Sequence, residues 1–161
     1  MSFGPLLIVW HSRTGTSEAL ALAAAEGAGE GGRLLRAEET TPEELLSAGG
    51  YLFCCPENLA SMSGAMKEMF DRCYYPVLGR IEGRPYATII AAGSDGEGAQ
   101  RQIDRIATGW RLKRVAEPWI VNTHAQTPDE ILAQKSVNAD DLETARDMGA
   151  ALAEGIPQGI F

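Results

Sequence analysis

The sequence predicts an α/β protein with a doubly wound, three-layer architecture, and three observations carry that reading. Strand-like and helix-like segments alternate along the whole chain. The strand-like segments are unbroken apolar runs, as strands buried on both faces of a parallel sheet must be. Five such units fit one domain spanning 1–161, whereas a closed barrel needs eight. Right-handed crossovers then put helices on both faces of an open sheet.

Each element follows from local chemistry. Leu6-Leu7-Ile8-Val9-Trp10 reads as the first strand, after Pro5. Thr16 or Ser17 is expected to cap a helix over 18–26, rich in Ala and Leu and ended by glycines. Residues 33–37 form a short second strand. Thr41-Pro42-Glu43-Glu44 starts the next helix with a cap, a first-position proline and acids in the first turn. Tyr51-Leu52-Phe53-Cys54-Cys55 is the third strand, expected to stop at Pro56. A helix over 63–73 puts Met66, Met69, Phe70 and Cys73 on one face, which reads as packing. Residues 86–92 are the fourth strand, and a helix over 98–109 follows a glycine-rich turn. Residues 115–121 form the fifth strand, interrupted by Pro118. The polar connection 123–137 contains a helix start, Thr127-Pro128-Asp129-Glu130, and reads as a lid or a subunit contact. Asn138 or Ala139 opens a closing helix to residue 154.

Composition narrows the function classes. The chain is 45% hydrophobic and 22% charged, enough for a core and too apolar for a disordered chain. Its 14 basic and 22 acidic residues leave −8, which disfavours nucleic acid and anionic membranes as partners. Met1-Ser2-Phe3-Gly4-Pro5 lacks a basic leader, and no apolar run nears the ~20 residues that span a bilayer. With three cysteines, Cys54, Cys55 and Cys73, the reading is a reduced, cytoplasmic protein without membrane insertion. Cys54 and Cys55 sit in an apolar strand and read as small buried hydrophobes. No paired-cysteine or His-Glu-x-x-His spacing exists, so no metal site is expected.

In doubly wound sheets, ligands bind outside the carboxyl ends of the strands. That directs attention to loops 11–17, 55–63, 93–99 and 122–137. The first contains Ser12-Arg13-Thr14-Gly15-Thr16-Ser17, between a buried strand and a helix. Four hydroxyls, a glycine and the free N–H groups of a helix N-terminus make a phosphate cradle. No Lys-Ser/Thr pair follows the glycine, so this is not the loop of an NTP hydrolase. Gly27-Ala28-Gly29-Glu30-Gly31-Gly32 matches a dinucleotide fingerprint in letters only: it follows a helix and precedes a strand, and reads as a helix-ending loop.

These residues resemble a family. Ser12-Arg13-Thr14-Gly15-Thr16-Ser17 is similar to the loop with which flavodoxin-like proteins hold the FMN 5′-phosphate. Pro56-Glu57-Asn58-Leu59-Ala60-Ser61-Met62, followed by Ser63-Gly64-Ala65-Met66-Lys67 and by Phe70-Asp71-Arg72, resembles the second flavin loop and helix of the flavodoxin-like NAD(P)H-dependent reductases. Gly93-Ser94-Asp95-Gly96-Glu97-Gly98 occupies the place of the third. The resemblance implies a strand order 2-1-3-4-5 and a site holding FMN on Ser12–Ser17 and on residues 56–62, Gly93, Ser94, Asp95, Gly96 and Gly98. It also implies NAD(P)H as co-substrate, a quinone-like acceptor, and homodimers or homotetramers. No side chain is an obligatory acid or base, because the flavin carries the chemistry. The family often has Gly-Asn-Met where this chain has Ala60-Ser61-Met62, and a small hydroxyl residue where Glu57 stands. That carboxylate is expected to disfavour an anionic flavin.

Electron-carrier flavodoxins sandwich the flavin ring between aromatic side chains, and here neither 56–62 nor 93–98 contains one. An open ring face suits hydride transfer, which favours a reductase. A carrier docking through the −8 charge, and a flavin-free binding module, are the alternatives. Arg13 is a further candidate for a phosphate, His11 for orienting the first loop, and His124 for a bond to a quinone. Trp10, Tyr74, Tyr75 and Trp119 read as core or contact residues.

Overall fold

The computed structural model describes residues 4–161, so Met1, Ser2 and Phe3 of the stretch read for a leader lie outside the described residues. In chain order the elements are β1 (Leu6–Trp10), α1 (Thr16–Ala28), β2 (Gly32–Arg36), α2 (Pro42–Ser47), β3 (Gly50–Asn58), β4 (Ser61–Met62) and α3 (Gly64–Val77). Then follow β5 (Pro85–Ala92), α4 (Glu97–Gly109), β6 (Lys113–Arg114), β7 (Trp119–Asn122), α5 (Pro128–Leu132) and α6 (Ala139–Gln158). Parallel pairing runs β2-β1-β3-β5, with β6 and β7 as successive segments along the outer edge of β5. This is the order 2-1-3-4-5, with the fifth position split in two.

The period of two along each strand sorts side chains between the layers. Leu7, Val9, Tyr51, Phe53, Cys55 and Ile90 face α3 and α4, where Met66, Phe70, Ile103 and Trp110 close that core. Leu6, Ile8, Leu52, Cys54 and Ile89 face α1 and α6, against Leu20, Ala24, Leu152 and Ile156. Complete burial of a side chain such as Phe53 contributes roughly 1.5–3 kcal/mol. Helices α1 and α6 pack through glycines: a Cβ on Gly149 would strike the Ala24 carbonyl, and one on Gly27 the Arg146 carbonyl.

Several boundaries differ from the sequence reading, among them the end of α6, which runs to Gln158 and not 154. Strand β3 does not end at Pro56. Proline removes a donor but keeps its carbonyl, which accepts the Ser63 N–H at 3.1 Å. Beyond it, Glu57 and Asn58 turn back antiparallel onto β4 through Leu59 and Ala60, at φ 52° and 65°. Two successive left-handed residues are the geometry of a tight two-residue hairpin, here without its usual glycine. The fifth strand is broken over 115–118 because Pro118 supplies no ladder donor, although the Val115 N–H still reaches the Tyr86 carbonyl at 3.1 Å. Helix α3 continues beyond Cys73 through Pro76, held by buried Val77 and by the bond from Trp110 Nε1 to the Tyr74 carbonyl at 3.0 Å. Finally, α1 is capped by Gly15 in the left-handed region (φ 106°), and neither Thr16 nor Ser17 caps it. The predicted starts at Thr41, Thr127 and Asn138 do form, each side chain accepting an N–H three residues on. No helix among the described residues is long and apolar enough to cross a membrane.

Candidate functional site

A cleft of about 480 Å3 opens at the carboxyl edge of the sheet, and three strands deliver its walls. From the end of β1 come Ser12, Arg13 and Thr14, with Thr16 and Ser17 from the first turn of α1. The hairpin after β3 supplies Pro56, Glu57, Asn58, Leu59 and Ala60. Ala91, Ala92, Gly93 and Ser94 close the end of β5. The volume is that of an ordinary small-molecule site.

The first loop is built around an unusual polar balance. Ser12 Oγ accepts the Gly15 N–H at 3.0 Å, which turns the chain into α1. The first intrahelical bond runs from Ala19 N–H to the Gly15 carbonyl, so the N–H groups of the first turn lack intrahelical partners. Thr16 and Ser17 are 5% and 1% exposed, yet Thr16 Oγ1 and Ser17 Oγ have no hydrogen-bond partner among the described residues. A buried unpaired hydroxyl costs about 1–3 kcal/mol. Two of them beside a helix N-terminus fit a tetrahedral anion, and hence the phosphate of FMN.

The second and third loops are arranged differently. Glu57 Oε1 accepts the Gly96 N–H at 2.8 Å, and its Oε2 the Ala99 N–H at 3.1 Å. The carboxylate that was expected to confront the flavin is therefore engaged by the N-terminus of α4. Gln102, one turn further, accepts the Met62 N–H at 2.8 Å and the Ser61 hydroxyl at 3.1 Å. Helix α4 thus clamps the whole hairpin. Leu59 at its tip is fully exposed, and carries no packing load.

Of the site residues read from sequence, most line the cleft. Gly15 does not; it borders a neighbouring cleft of about 310 Å3 with Trp10, His11, Arg36 and Glu38. Nor do Ser61, Met62, Asp95, Gly96 and Gly98. Met62 is 2% exposed and belongs to the core. Gly96 (φ 90°) and Gly98 serve close packing instead: a Cβ on Gly98 would strike the Ala60 carbonyl.

The connection 123–137, read from the sequence as a lid or a subunit contact, roofs the cleft, although none of its individual lining residues was singled out. Thr123, Ala125, Ile131, Leu132 and Lys135 line the same cleft. The segment is fastened at one end by Asn122 Nδ2 to the Ser94 carbonyl at 2.8 Å and Gln126 Nε2 to the Gly93 carbonyl at 3.2 Å. At the other end the Lys135 N–H donates to the Thr14 carbonyl at 2.7 Å. Ile131 and Leu132 are left half-exposed at the cleft, at the end of the helix whose start the sequence had marked.

The remaining candidates are placed as follows. His11 donates its backbone N–H to the Cys54 carbonyl at 3.1 Å; its Nδ1 is unpartnered and burial lowers its pKa. The Arg36 guanidinium lies 5.5 Å from the centre of the Trp10 ring. His124 is exposed, at φ 59°, outside the cleft lining. Cys54, Cys55 and Cys73 are free and buried, and burial raises each thiol, that of Cys55 to about 12. They are protonated and unreactive at neutral pH. Tyr74 stacks on the buried Trp110 at 5.6 Å, whereas Tyr75 is exposed.

Comparison with known proteins agrees with this geometry. Residues 37–126 match the family model "NADPH-dependent FMN reductase". A curated relative, a flavodoxin from Aquifex aeolicus, is 26% identical over 162 aligned residues, covering 95% of this chain and 87% of its own. Among solved structures, a flavodoxin from the domain Archaea superposes with a TM-score of 0.75 at 17% identity, covering 94% of this chain and 98% of that one. A WrbA-like flavodoxin from Agrobacterium tumefaciens gives 0.68 at 19%, covering 96% and 98%. These likenesses fix the fold as that of the flavodoxins. With more than half its length matching one family model, and with a cleft that fits a flavin phosphate, the chain belongs to the NADPH-dependent FMN reductase family of flavodoxin-like flavoproteins.

Proposed function

We propose that this protein is an FMN-dependent oxidoreductase that takes reducing equivalents from NAD(P)H and delivers them to a quinone-like acceptor. The observation that carries the reading is the pair of buried, unpartnered hydroxyls on Thr16 and Ser17 at the N-terminus of α1. Ser12, Arg13, Thr14, Thr16 and Ser17, with the N–H groups beyond Gly15, hold the phosphate. Pro56–Ala60 on one side and Gly93 and Ser94 on the other border the flavin ring, and Leu59, Ile131 and Leu132 shield it from water. When bound, FMN supplies the redox chemistry, accepting a hydride and passing electrons on.

Among the described residues no Phe, Tyr or Trp lines the cleft, which supports the reductase: a nicotinamide and then an acceptor need an open ring face. The three free buried cysteines suit a reducing cytoplasm. A second reading, an electron carrier, is favoured by the relative described as a flavodoxin and by the −8 charge available for docking.

The test is to incubate the protein with FMN, desalt it, and add NADPH and NADH without oxygen. Retained flavin absorbance that bleaches with either nucleotide supports the reductase. Flavin that bleaches only with dithionite supports the carrier. No retained flavin overturns both.

A further inference from the structure

Lys135 stands 121 positions from Thr14 in the chain, yet its Nζ lies 3.5 Å from Thr14 Oγ1 in the wall of the cleft. The ammonium is held there by the Ile131 and Ala133 carbonyls, at 3.0 and 2.6 Å. It pairs with no carboxylate among the described residues. Its position is set by the backbone as well, through the 2.7 Å bond from its own N–H to the Thr14 carbonyl. The result is an unneutralised cation in the same cleft as the two buried hydroxyls of Thr16 and Ser17, which lack partners among the described residues. Of the other charges lining this cleft, Arg13 has the same sign, and the Glu57 carboxylate is engaged by the N-terminus of α4.

We propose that Lys135 is a phosphate-binding group of this site, delivered from the segment after β7, and that its charge makes the cleft select a phosphorylated flavin over riboflavin. The proposal rests on the flavin reading above. A hydroxyl-and-amide cradle alone holds a dianion by hydrogen bonds; Lys135 adds a full positive charge in a partly desolvated position. It moves from the two backbone carbonyls, which are solvent-accessible at the end of α5, onto a phosphate oxygen. Because the same residue is bonded through its backbone to Thr14, binding also fastens the roof over the cleft.

The experiment titrates FMN and riboflavin, by quenching of flavin fluorescence, into the wild-type protein, Lys135→Met and Lys135→Arg at low and high salt. The proposal expects FMN to bind wild type more tightly than riboflavin. Lys135→Met should weaken FMN about 10- to 100-fold, the range of one charge-assisted bond, and leave riboflavin unchanged. Lys135→Arg should keep most of the preference, and high salt should erode it in wild type more than in Lys135→Met. An equal loss for both flavins in Lys135→Met means that the residue only supports the roof, and overturns the proposal. So does an unchanged FMN-to-riboflavin ratio. Absence of any flavin binding by wild type overturns the flavin reading itself, an outcome distinct from either.

Discussion

The first loop and the hairpin after β3 border the same cleft but settle their polar groups in opposite ways. At the first loop two nearly inaccessible hydroxyls, Thr16 and Ser17, go without partners. In the hairpin the carboxylate of Glu57 and the amides and hydroxyl near Ser61 and Met62 are consumed within the protein, by α4. The difference separates two kinds of site residue. The unpaired hydroxyls that line the cleft, those of Thr16 and Ser17, are available to a ligand, unlike that of Ser63, unpaired but outside the cleft lining. The paired polar atoms of the hairpin instead hold the wall in place. Substitutions at Thr14, Thr16 and Ser17 should therefore strike binding and spare stability, unlike those at Ser12 and Gly15, which shape the turn, and substitutions in the hairpin should do the reverse.

Thr14→Glu carries the largest expected effect. A carboxylate beside a bound phosphate repels it, so FMN affinity should fall by about 3 kcal/mol or more, with the melting temperature near that of wild type. A titration beside a thermal melt checks both halves. Glu57→Ala reverses the pattern. It strips the partners from the Gly96 and Ala99 N–H groups and should cost about 1–3 kcal/mol of stability by denaturant unfolding, with a smaller loss of FMN affinity. Equal effects on both properties in either variant would erase the distinction.

A gentler probe is the hairpin tip. Leu59 and Ala60 occupy left-handed backbone at φ 52° and 65°, which a side chain with Cβ resists. Leu59→Asn combined with Ala60→Gly should stabilise the protein by about 1 kcal/mol, measured by chemical denaturation. Because the exposed Leu59 side chain is lost as well, flavin fluorescence in the complex should report greater access of an aqueous quencher.

The smallest effect concerns His11, at the border of the first loop. Burial holds its pKa below the ordinary 6.5, so the unfolded chain takes up a proton before the folded one does. The stability it contributes is present above about pH 6.5 and is lost as the pH falls from there through the lower folded value. His11→Gln should flatten that part of the pH–stability curve.

How much of this was legible follows the same division. The buried apolar runs announced the strands along the chain, and the hydroxyl-rich turn after Trp10 announced a candidate phosphate loop, because both signals are local; the order of the strands in the sheet came only with the family resemblance. The Glu57 clamp was not legible, since its partners Gly96 and Ala99 sit 39 and 42 positions away and are backbone amides without a sequence signature. The reading ended β3 at Pro56 because proline lacks a ladder donor, and Leu59-Ala60 carries no glycine to mark the hairpin turn beyond it. Lys135 lay in a polar connection with nothing to mark it, and only the return of the chain after β7 brings it to Thr14. The fifth strand shows the remaining limit: Pro118 signalled an interruption, but whether the chain leaves the sheet or bulges within it depends on β5.

The central claim is that Thr16 and Ser17 are unpaired because a ligand phosphate pairs them. The most direct test is the double variant Thr16→Val, Ser17→Ala, near-isosteric and apolar, measured for unfolding without flavin and for FMN binding by calorimetry. Replacing buried hydroxyls that have no partner should leave the flavin-free protein as stable as wild type or more so, while FMN affinity falls by roughly 2–4 kcal/mol. A less stable flavin-free protein that binds FMN as tightly as wild type would contradict the account, for it would show that the hydroxyls serve the fold and not the ligand.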